Sequence, residues 1–410
     1  MYGIKKCSGS CLYCSAASTM NYNEDGNKNT FKFDRKKTKK KILEFTKVKE
    51  ILKEGNSAVL TIDIWGGNPL ENFNEFKQVV DFCYNDLKDF KEIHLHTSGN
   101  GLELRDDEKV QYLIDNNIHY QLSHDGCGQF LRTGIIDPLY WKETKDNIVK
   151  LTKLGILDWI NTTLNARNYS FFENIKYWNK WRFDNNLMDK DLFIKLNHIS
   201  DGTPPITKKW IFDDYKTEYK CVIPPKKGEE IGDLCFHDKI LSNYLHEFRK
   251  LAFICMTPGI NTNPEFSPFC RYIQNQTSRW QTLDEKIYKN GGIGSCRQFQ
   301  MGITDFNFVI DTTGNYCQCN LIDSSSSVKD PSGKRLTECE SCEYNRQAEC
   351  FPCGSESFPK KCEYMYAWCQ TLEELAQLKE VLNLFNNNNE KCDCKHTHKD
   401  PVFCVKDYQI

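Results

Sequence analysis

The sequence predicts an α/β fold, because short β-rich runs alternate with helical patterns through the first half of the chain. Strands that alternate with helices form βαβ units and therefore a parallel sheet. Five or six such units suit an open or partial barrel of the (β/α)6 type. After about residue 205 the chain becomes rich in loops and then in cysteine. We therefore predict a partial barrel followed by a loop-rich, cysteine-rich C-terminal domain.

The predicted elements follow one another in chain order. The runs typical of strands are 57–65, 92–97, 118–123, 157–165 and 192–199. Helical patterns occupy 40–53, 72–88, 105–116, 144–154 and 171–183, and later 238–253 and 371–385. The predicted parts are a barrel at 1–205, a bridging region at 206–290, a cysteine-rich domain at 291–385 and a Cys- and His-containing tail at 386–410.

Composition limits the class of protein. The chain has 410 residues, 39% of them hydrophobic, and a formal net charge of −2, which excludes nucleic-acid binders that rely on bulk positive charge. The basic run at 35–41 is interpreted as a solvated helix start. No stretch approaches the roughly 18 apolar residues of a membrane helix, and no apolar signal region begins the chain. We expect a cytoplasmic protein without membrane or nucleic-acid partners.

The 21 cysteines are the unusual feature of the sequence. An odd number, clustered spacings and the lack of a signal peptide favour metal ligation over a disulfide framework. Cys7, Cys11 and Cys14 follow one another at the spacing C-x3-C-x2-C, and the next cysteine is Cys83. Three thiolates can hold three irons of a 4Fe–4S cluster and leave one iron open, whereas a closed structural zinc site needs a fourth ligand nearby. An iron without a protein ligand needs a ligand from outside the chain, which indicates that the cluster takes part in a reaction.

This N-terminal motif resembles that of radical S-adenosylmethionine (SAM) enzymes, in which it follows the first strand. Tyr13 matches the aromatic residue that lies near the adenine of SAM in that family. The stretch WGGNPL at 65–70 is similar to the family's Gly-Gly-Glu-Pro turn, which binds the amino group of SAM. Asn68 replaces the usual glutamate, and its amide oxygen can accept a hydrogen bond without charge assistance. The resemblance assigns SAM binding in this turn to Gly66, Gly67, Asn68 and Pro69.

Two later turns continue the resemblance in the family's order. HTSGNG at 96–101 is similar to the Thr-Asn-Gly turn of the family, and LSHDG at 122–126 to its Ser-Leu-Asp-Gly turn. The resemblance implies that Ser98 contacts SAM, and that Ser123 and Arg132 hold its carboxylate. The similarity extends to about residue 200 and implies a TIM-like barrel.

The C-terminal half resembles the SPASM extension, which binds two auxiliary 4Fe–4S clusters in peptide-modifying members of the family. By this resemblance the ligands of the outer cluster are Cys339, Cys342, Cys350 and Cys369. Those of the inner cluster are Cys296, Cys319 and Cys353, with Cys270 as a candidate fourth. Cys317 and Cys362 compete with Cys319 and Cys369. C-x2-C pairs are also typical of zinc sites, so zinc knuckles stay an alternative, as does a zinc site between Cys392 and His398.

The family's chemistry implies reductive cleavage of SAM to a 5′-deoxyadenosyl radical, which abstracts hydrogen from an unactivated C–H bond. Cross-linking or a related modification of a ribosomal peptide is our first interpretation. A peptide epimerase is an alternative, in which Cys127 would return a hydrogen atom. A sulfatase-type maturase is disfavoured, because Asn320 stands where that class has an aspartate base. A non-catalytic iron–sulfur electron-transfer protein and a zinc-stabilised binding module remain open.

The partners also follow from the resemblance. The substrate would be a peptide or small protein, a reductant such as flavodoxin or ferredoxin would supply electrons, and the clusters would be sensitive to oxygen. Because six residues precede Cys7, we expect no recognition domain fused at the N-terminus. A leader peptide would then bind the barrel, the bridging region or a separate protein.

Overall fold

The computed structural model describes the barrel and part of the segment that follows it. The described residues are 2–4, 7, 11, 33–44, 59–133, 137–198, 206–212, 217–273, 309–310, 316–317, 371, 374–375 and 377–378. All five predicted strands fall at least partly within these ranges. The predicted domain at 291–385 lies almost entirely outside them, and the tail at 386–410 lies wholly outside.

Six parallel strands form the central sheet, in their order along the chain. β1 covers Tyr2–Ile4, β2 Val59–Gly66, β3 Glu92–Gly99, β4 Ile118–Ser123, β5 Leu157–Leu164 and β6 Phe193–His198. Every neighbouring pair is parallel. No pairing among the described residues joins β6 to β1, so the sheet is an open barrel. The predicted α/β class with a partial barrel is confirmed.

Seven helices are described around and after the sheet. α1 covers Arg35–Glu44, α2 Phe73–Asp86, α3 Asp107–Asp115, α4 Phe130–Thr133, α5 Lys142–Lys153, α6 Phe171–Asp184 and α7 Asp238–Met256. Asp106 caps α3 by accepting a hydrogen bond from the backbone N–H of Glu108 at 3.0 Å, and Ser170 caps α6 in the same way. Tight 3-10 turns follow three strands, at Pro69–Asn72, Leu102–Arg105 and Gly126–Gly128.

The first helix differs from the prediction of 40–53. α1 begins at Arg35, so the basic run forms most of the helix. Arg35 forms ion pairs with Asp86 and, at 2.7 Å, with Asp81 on α2. The run is therefore more than a solvated helix start, because its first charge holds α1 against α2.

The two faces of the sheet differ in polarity. One face is apolar and packs against the helices, with buried side chains that include Ile62, Leu95, Leu122, Ile160 and Ile194. Alternate positions on the other face are polar and only partly buried, among them His96, Ser98, Ser123, Asn161 and Asn197. The concave side of the barrel is thus lined by groups that can hydrogen-bond a polar ligand.

The segment after the barrel packs against it through a small second core. β7 (Ile206–Lys209) and β8 (Glu230–Gly232) form an antiparallel pair. The second core consists of Cys127, Phe130, Leu131, Trp210, Val222, Ile231 and Leu234. Further along, β9 (Val309–Ile310) pairs antiparallel with β10 (Tyr316–Cys317). No helix in the described ranges is long and apolar enough to cross a membrane.

Candidate functional site

The turns predicted to bind SAM meet at one edge of the sheet. β2, β3 and β4 are neighbours and end at Gly66, Gly99 and Ser123. The carboxyl ends of parallel strands lie at the same edge, where ligands of α/β folds commonly bind. Asn68 and Asn100, in the turns after β2 and β3, are within hydrogen-bonding distance of each other, 3.3 Å. This edge is the candidate site.

Two cysteines of the N-terminal motif border this edge. Cys7 and Cys11 are both half-buried. The Arg132 Nη1 atom lies 3.8 Å from Cys11 Sγ. Burial raises the pKa of Tyr120 well above its usual range, with further contributions from Glu103 and from the charge of Cys7. Ile4 of β1 is opposite Gly66 at the end of β2, so Cys7, three residues further on, borders the same edge of the sheet. Tyr13 and Cys14 lie outside the described residues.

Asn68 is the centre of a polar network after β2. It is 1% exposed, and its Nδ2 donates to Glu103 Oε2 at 2.7 Å, to Glu71 Oε1 at 2.9 Å and to Asn100 Oδ1 at 3.3 Å. Three acceptors around Nδ2 fix the orientation of the Asn68 amide, because the amide oxygen, if it exchanged places with Nδ2, would face only other oxygens. The Asn68 Oδ1 atom is buried and accepts no hydrogen bond in the described structure. It is an acceptor that a ligand can use.

Glu103 supplies the buried charge of this network and was missed in the sequence analysis. It is 6% exposed, and its Oε1 accepts a hydrogen bond from Tyr120 Oη. Tyr120 Oη in turn accepts a hydrogen bond from the Gly101 N–H at 3.0 Å. Burial raises the pKa of Glu103, while the hydrogen bonds from Asn68 and Tyr120 act in the opposite direction.

Gly99 is the residue on which these oxygens converge. A Cβ at Gly99 would overlap Glu103 Oε1 and would lie 2.5 Å from Tyr120 Oη and 2.6 Å from Asn68 Oδ1. Only glycine allows so close an approach to the backbone. We call these three atoms, Asn68 Oδ1, Glu103 Oε1 and Tyr120 Oη, the oxygen cradle.

Arg132, the predicted partner of the SAM carboxylate, is held in place by Asp125. Its Nη2 and Nε donate to Asp125 Oδ1 at 2.9 Å and 3.2 Å, and Asp125 is fully buried. Burial raises the pKa of Asp125, although Arg132 and the Thr163 N–H act against the rise. The guanidinium is thus fixed between a buried carboxylate and Cys11, and a positive charge beside a thiol favours the thiolate that ligates metals.

The two predicted serines lie on the concave face. Ser98 is opposite Gln121 on β4, and Ser123 is opposite Asn161 on β5. Both serines are half-buried. Gly66 and Gly67 are likewise half-buried, whereas Pro69 is buried in the 3-10 turn. The roles of these residues in SAM binding stay predictions.

His124 stabilises the turn between β4 and Arg132. It is fully buried, and its Nδ1 accepts a hydrogen bond from the Gly126 N–H at 3.0 Å. Nε2 is therefore the protonated nitrogen, which donates to Asp137 Oδ1 at 2.9 Å. Burial alone would raise the pKa of Asp137, but its interactions with His124 lower it overall. The ring also packs edge-on against Trp178, with centroids 5.0 Å apart, so its role is structural.

Cys127, the candidate hydrogen donor, lies in the second core and is 4% exposed. Its Sγ donates to Asn168 Oδ1 at 3.3 Å. Burial raises the pKa of the thiol, so the group is protonated at neutral pH. Its surroundings are apolar side chains such as Phe130 and Leu131. A role as hydrogen donor stays a prediction.

A second polar group on the concave face was not found from the sequence. His96 Nδ1 and His119 Nδ1 lie 3.6 Å and 3.4 Å from Asp158 Oδ2. Lys195 Nζ lies 3.5 Å from the centre of the Trp159 ring. A register shift between β4 and β5 allows the consecutive residues Asp158 and Trp159 to contact the same side. No group of three or more metal ligands is arranged for a metal ion in the described part of the chain.

Most ligands predicted for the auxiliary clusters lie outside the described residues, namely Cys296, Cys319, Cys339, Cys342, Cys350, Cys353, Cys362 and Cys369. Cys317 is described only as part of β10. Cys270 is 1% exposed in the main core. A hydrogen bond with the thiol of Cys255 lowers the pKa of Cys270, against the effect of burial. Cys255, at the end of α7, had not been singled out.

The first part of the chain matches a known protein family. Residues 1–166 match the model of the Radical SAM superfamily. Cys7, Cys11, Asn68, Glu103 and Arg132 all lie within this range. No curated protein sequence matches the chain.

Three solved structures illustrate the similarity in fold. "Native anSMEcpe with bound AdoMet" has a TM-score of 0.51 at 15% identity, over 94% of this chain and 98% of that chain. The histidine-tagged form of anSMEcpe with bound AdoMet has a TM-score of 0.52 at 15% identity, over the same shares of 94% and 98%. The native protein with AdoMet and Cp18Cys peptide has a TM-score of 0.51 at 14% identity, again over 94% and 98%. Residues 1–166 thus match the Radical SAM superfamily, and nearly the whole chain is similar in fold to anSMEcpe.

Proposed function

We propose that this protein is a radical SAM enzyme that cleaves SAM to a 5′-deoxyadenosyl radical and functionalises an unactivated C–H bond of a peptide. The main support is the position of Cys7 and Cys11 beside a polar edge of the parallel sheet, since Cys11 contacts Arg132 and Cys7 follows Ile4, which is opposite Gly66. This arrangement occurs within the residues that match the superfamily. The proposal adds to that match the residues that would hold the cofactors and the class of substrate.

The described residues fit the two groups that such an enzyme needs. Cys7 and Cys11, together with Cys14, are the thiolates that would hold a 4Fe–4S cluster. The fixed guanidinium of Arg132 suits the carboxylate of an amino acid, and the oxygen cradle suits its ammonium group. When bound and reduced, the cluster would supply the one electron that breaks the sulfonium C–S bond of SAM.

The chain's own residues would bind and orient SAM. Gly66 and Gly67 let the backbone approach the ligand, and Pro69 holds the turn that presents Asn68. Ser98 and Ser123 would donate hydrogen bonds from the concave face, and Tyr13 would lie beside the adenine. The polar concave face would position the substrate next to the radical and keep water from it.

A peptide or small protein is the substrate class that we propose. It is supported by the similarity in fold to anSMEcpe, whose structures include Cp18Cys and Kp18Cys peptides, and by the SPASM-like cysteine pattern. The polar and aromatic groups on the concave face, among them Asp158, Trp159 and Lys195, are of the kind that bind peptides. A cross-link or related modification of a ribosomal peptide is our first choice, since Asn320 cannot act as a base.

The remaining parts of the proposal concern organisation and partners. We assign the barrel to 1–205, the bridging region to 206–290, two auxiliary 4Fe–4S clusters to 291–385, and leave the tail at 386–410 without a role. Electrons would come from a flavodoxin or ferredoxin in an oxygen-poor cytoplasm. A separate protein could present the leader peptide.

The test is anaerobic reconstitution with iron and sulfide, followed by addition of dithionite and SAM. About 12 irons per chain and release of 5′-deoxyadenosine would support the whole proposal. About 4 irons with cleavage would support the SAM chemistry and contradict the auxiliary clusters. A variant with Cys7, Cys11 and Cys14 replaced by Ala is the matched control, which should keep the auxiliary iron and release no 5′-deoxyadenosine.

Two other outcomes would contradict the proposal. A fully loaded, reducible protein that never cleaves SAM would be an electron-transfer protein. Zinc in place of iron would indicate a zinc-stabilised binding module.

A further inference from the structure

Glu103 is a buried carboxylate to which the described residues offer no cation. Its oxygens accept hydrogen bonds from Asn68 Nδ2 at 2.7 Å and from Tyr120 Oη. Both donors are neutral. Among the described charged residues, Glu71 acts on Glu103, and its negative charge raises the pKa of Glu103 further. An unpaired buried carboxylate is costly unless it takes up a proton or binds a cation.

The adjacent Asn68 has an acceptor without a donor. Its Oδ1 is buried and accepts no hydrogen bond from the described residues. The amide cannot be turned to remove this defect, because Nδ2 already faces Glu103, Glu71 and Asn100. A ligand with N–H donors would satisfy Oδ1.

These two acceptors face the same place beside the N-terminal motif. Glu103 Oε1 and Asn68 Oδ1 both crowd the position of a Cβ at Gly99. Ile4 of β1, three residues before Cys7, is opposite Gly66 at the end of β2. The oxygen cradle and the first cysteine therefore border the same part of the sheet edge.

We propose that Glu103 binds the ammonium group of SAM, and so supplies the charge that Asn68 lacks in the turn after β2. An ammonium group has three N–H donors and forms its strongest hydrogen bonds with ionised acceptors. Asn68 has two tasks in this arrangement: its Nδ2 holds Glu103, and its Oδ1 accepts from the same ammonium. The inference rests on the proposed function and identifies a SAM-binding residue 35 positions after Asn68.

A purely structural Glu103 would behave differently. Its contacts with Asn68 and Tyr120 need only acceptor atoms of the right shape, or a protonated carboxyl, and glutamine has nearly that shape. A Glu103→Gln variant would then bind SAM as the wild type does. If Glu103 binds the ammonium, the same substitution removes the charge of a charge-assisted hydrogen bond.

The experiment measures dissociation constants by anaerobic equilibrium dialysis on the reconstituted full chain. The two probes are SAM and the analogue in which hydrogen replaces its amino group. Glu103→Gln should bind SAM at least 10-fold more weakly, since a hydrogen bond to a charged group contributes about 1.5–3 kcal/mol. Its affinity for the deaminated analogue should stay within about twofold, because that ligand has no ammonium to lose.

Two further variants separate charge from structure. Glu108→Gln removes the same charge from a side chain on α3 that is 74% exposed, and should leave both affinities unchanged. Glu103→Asp keeps the negative charge on a shorter side chain, and should weaken SAM binding less than Glu103→Gln does. Thermal unfolding without SAM shows whether each variant is folded.

The outcomes distinguish this inference from the proposed function. If Glu103→Gln binds SAM normally, or weakens SAM and the deaminated analogue equally, Glu103 does not bind the ammonium group. The wild type would still cleave SAM in either case, and the proposed function would stand. If the reconstituted wild type binds no SAM at all, both proposals are wrong.

Discussion

Replacing Arg132 with methionine tests the buried ion pair that fixes this guanidinium. Asp125 Oδ1 accepts three hydrogen bonds, two from Arg132 at 2.9 Å and 3.2 Å and one from the Thr163 N–H at 3.0 Å. The substitution removes two of them and takes the positive charge of Arg132 away from a fully buried carboxylate. Breaking a buried pair in this way costs about 3–5 kcal/mol. Water can offset little of this, since only 11% of the Arg132 side chain is exposed.

The matched control removes the charge of Asp125 as well. In Asp125→Asn/Arg132→Met the amide oxygen can still accept from the Thr163 N–H, and no buried charge remains. We expect the double variant to lose about 1–2 kcal/mol, which is about 1–4 kcal/mol less than Arg132→Met alone. The coupling between the two sites should therefore exceed about 1 kcal/mol even before the cost of Asp125→Asn is added. This coupling is measured by urea unfolding at neutral pH, with tryptophan fluorescence as the signal. The wild type, both single variants and the double variant are compared. A cost below about 1 kcal/mol for Arg132→Met, or additive single effects, would refute the reasoning.

Three further predictions concern stability and the oxygen cradle. Burial lowers the pKa of His96, so the unfolded chain binds a proton at this histidine more readily, and the free energy of unfolding should fall as pH drops below about 6.5. Between pH 7 and 5 the urea midpoint of His96→Gln should therefore fall less than that of the wild type. An equal fall would contradict the assignment. Gly99→Ala should abolish SAM binding because its Cβ would overlap Glu103 Oε1. In the same dialysis assay Gly155→Ala should retain SAM binding, since its Cβ meets no atom within 4 Å, although its φ of +71° strains alanine and should lower stability. Arg35→Ala should lower the free energy of unfolding by no more than about 1 kcal/mol, because the Arg35 side chain is 40% exposed. In urea titrations at 1 M salt this difference should disappear. A larger, salt-independent loss would indicate that packing of Arg35 against α2 dominates.

The strands and the polar turns could be predicted from the sequence because their signals are local. The run at 118–123 has the bounds of β4, and the Gly-Gly turn with Asn68 follows β2 as expected. The start of α1 was missed although it has a local signal, because Asp34 caps the helix by accepting a hydrogen bond from the Lys37 N–H at 2.9 Å. Only the ion pairs of Arg35 with acids of α2, more than 40 residues away, have no local signal.

Glu103 and the group at His96, His119 and Asp158 were missed for a different reason. Glu103 lies in LELRDDEK, which has the composition of an exposed helix start, and only the approach of Gly99 and Asn68 reveals that it is buried. The histidines and Asp158 lie on three strands, and their proximity depends on the register of β3, β4 and β5. A sequence pattern does not specify register between strands joined by long connections.

The short helix α4 links two parts of the molecule mechanically. Arg132 on this helix reaches Cys11, while its neighbours Phe130 and Leu131 pack in the second core. Phe130 meets Trp210 edge-on, with ring centroids 5.9 Å apart. Closely packed side chains transmit displacement, so any movement of the antiparallel pair of β7 and β8 would also shift the guanidinium of Arg132 beside Cys11. The position of this positive charge thus depends on the packing of residues far from it in the sequence.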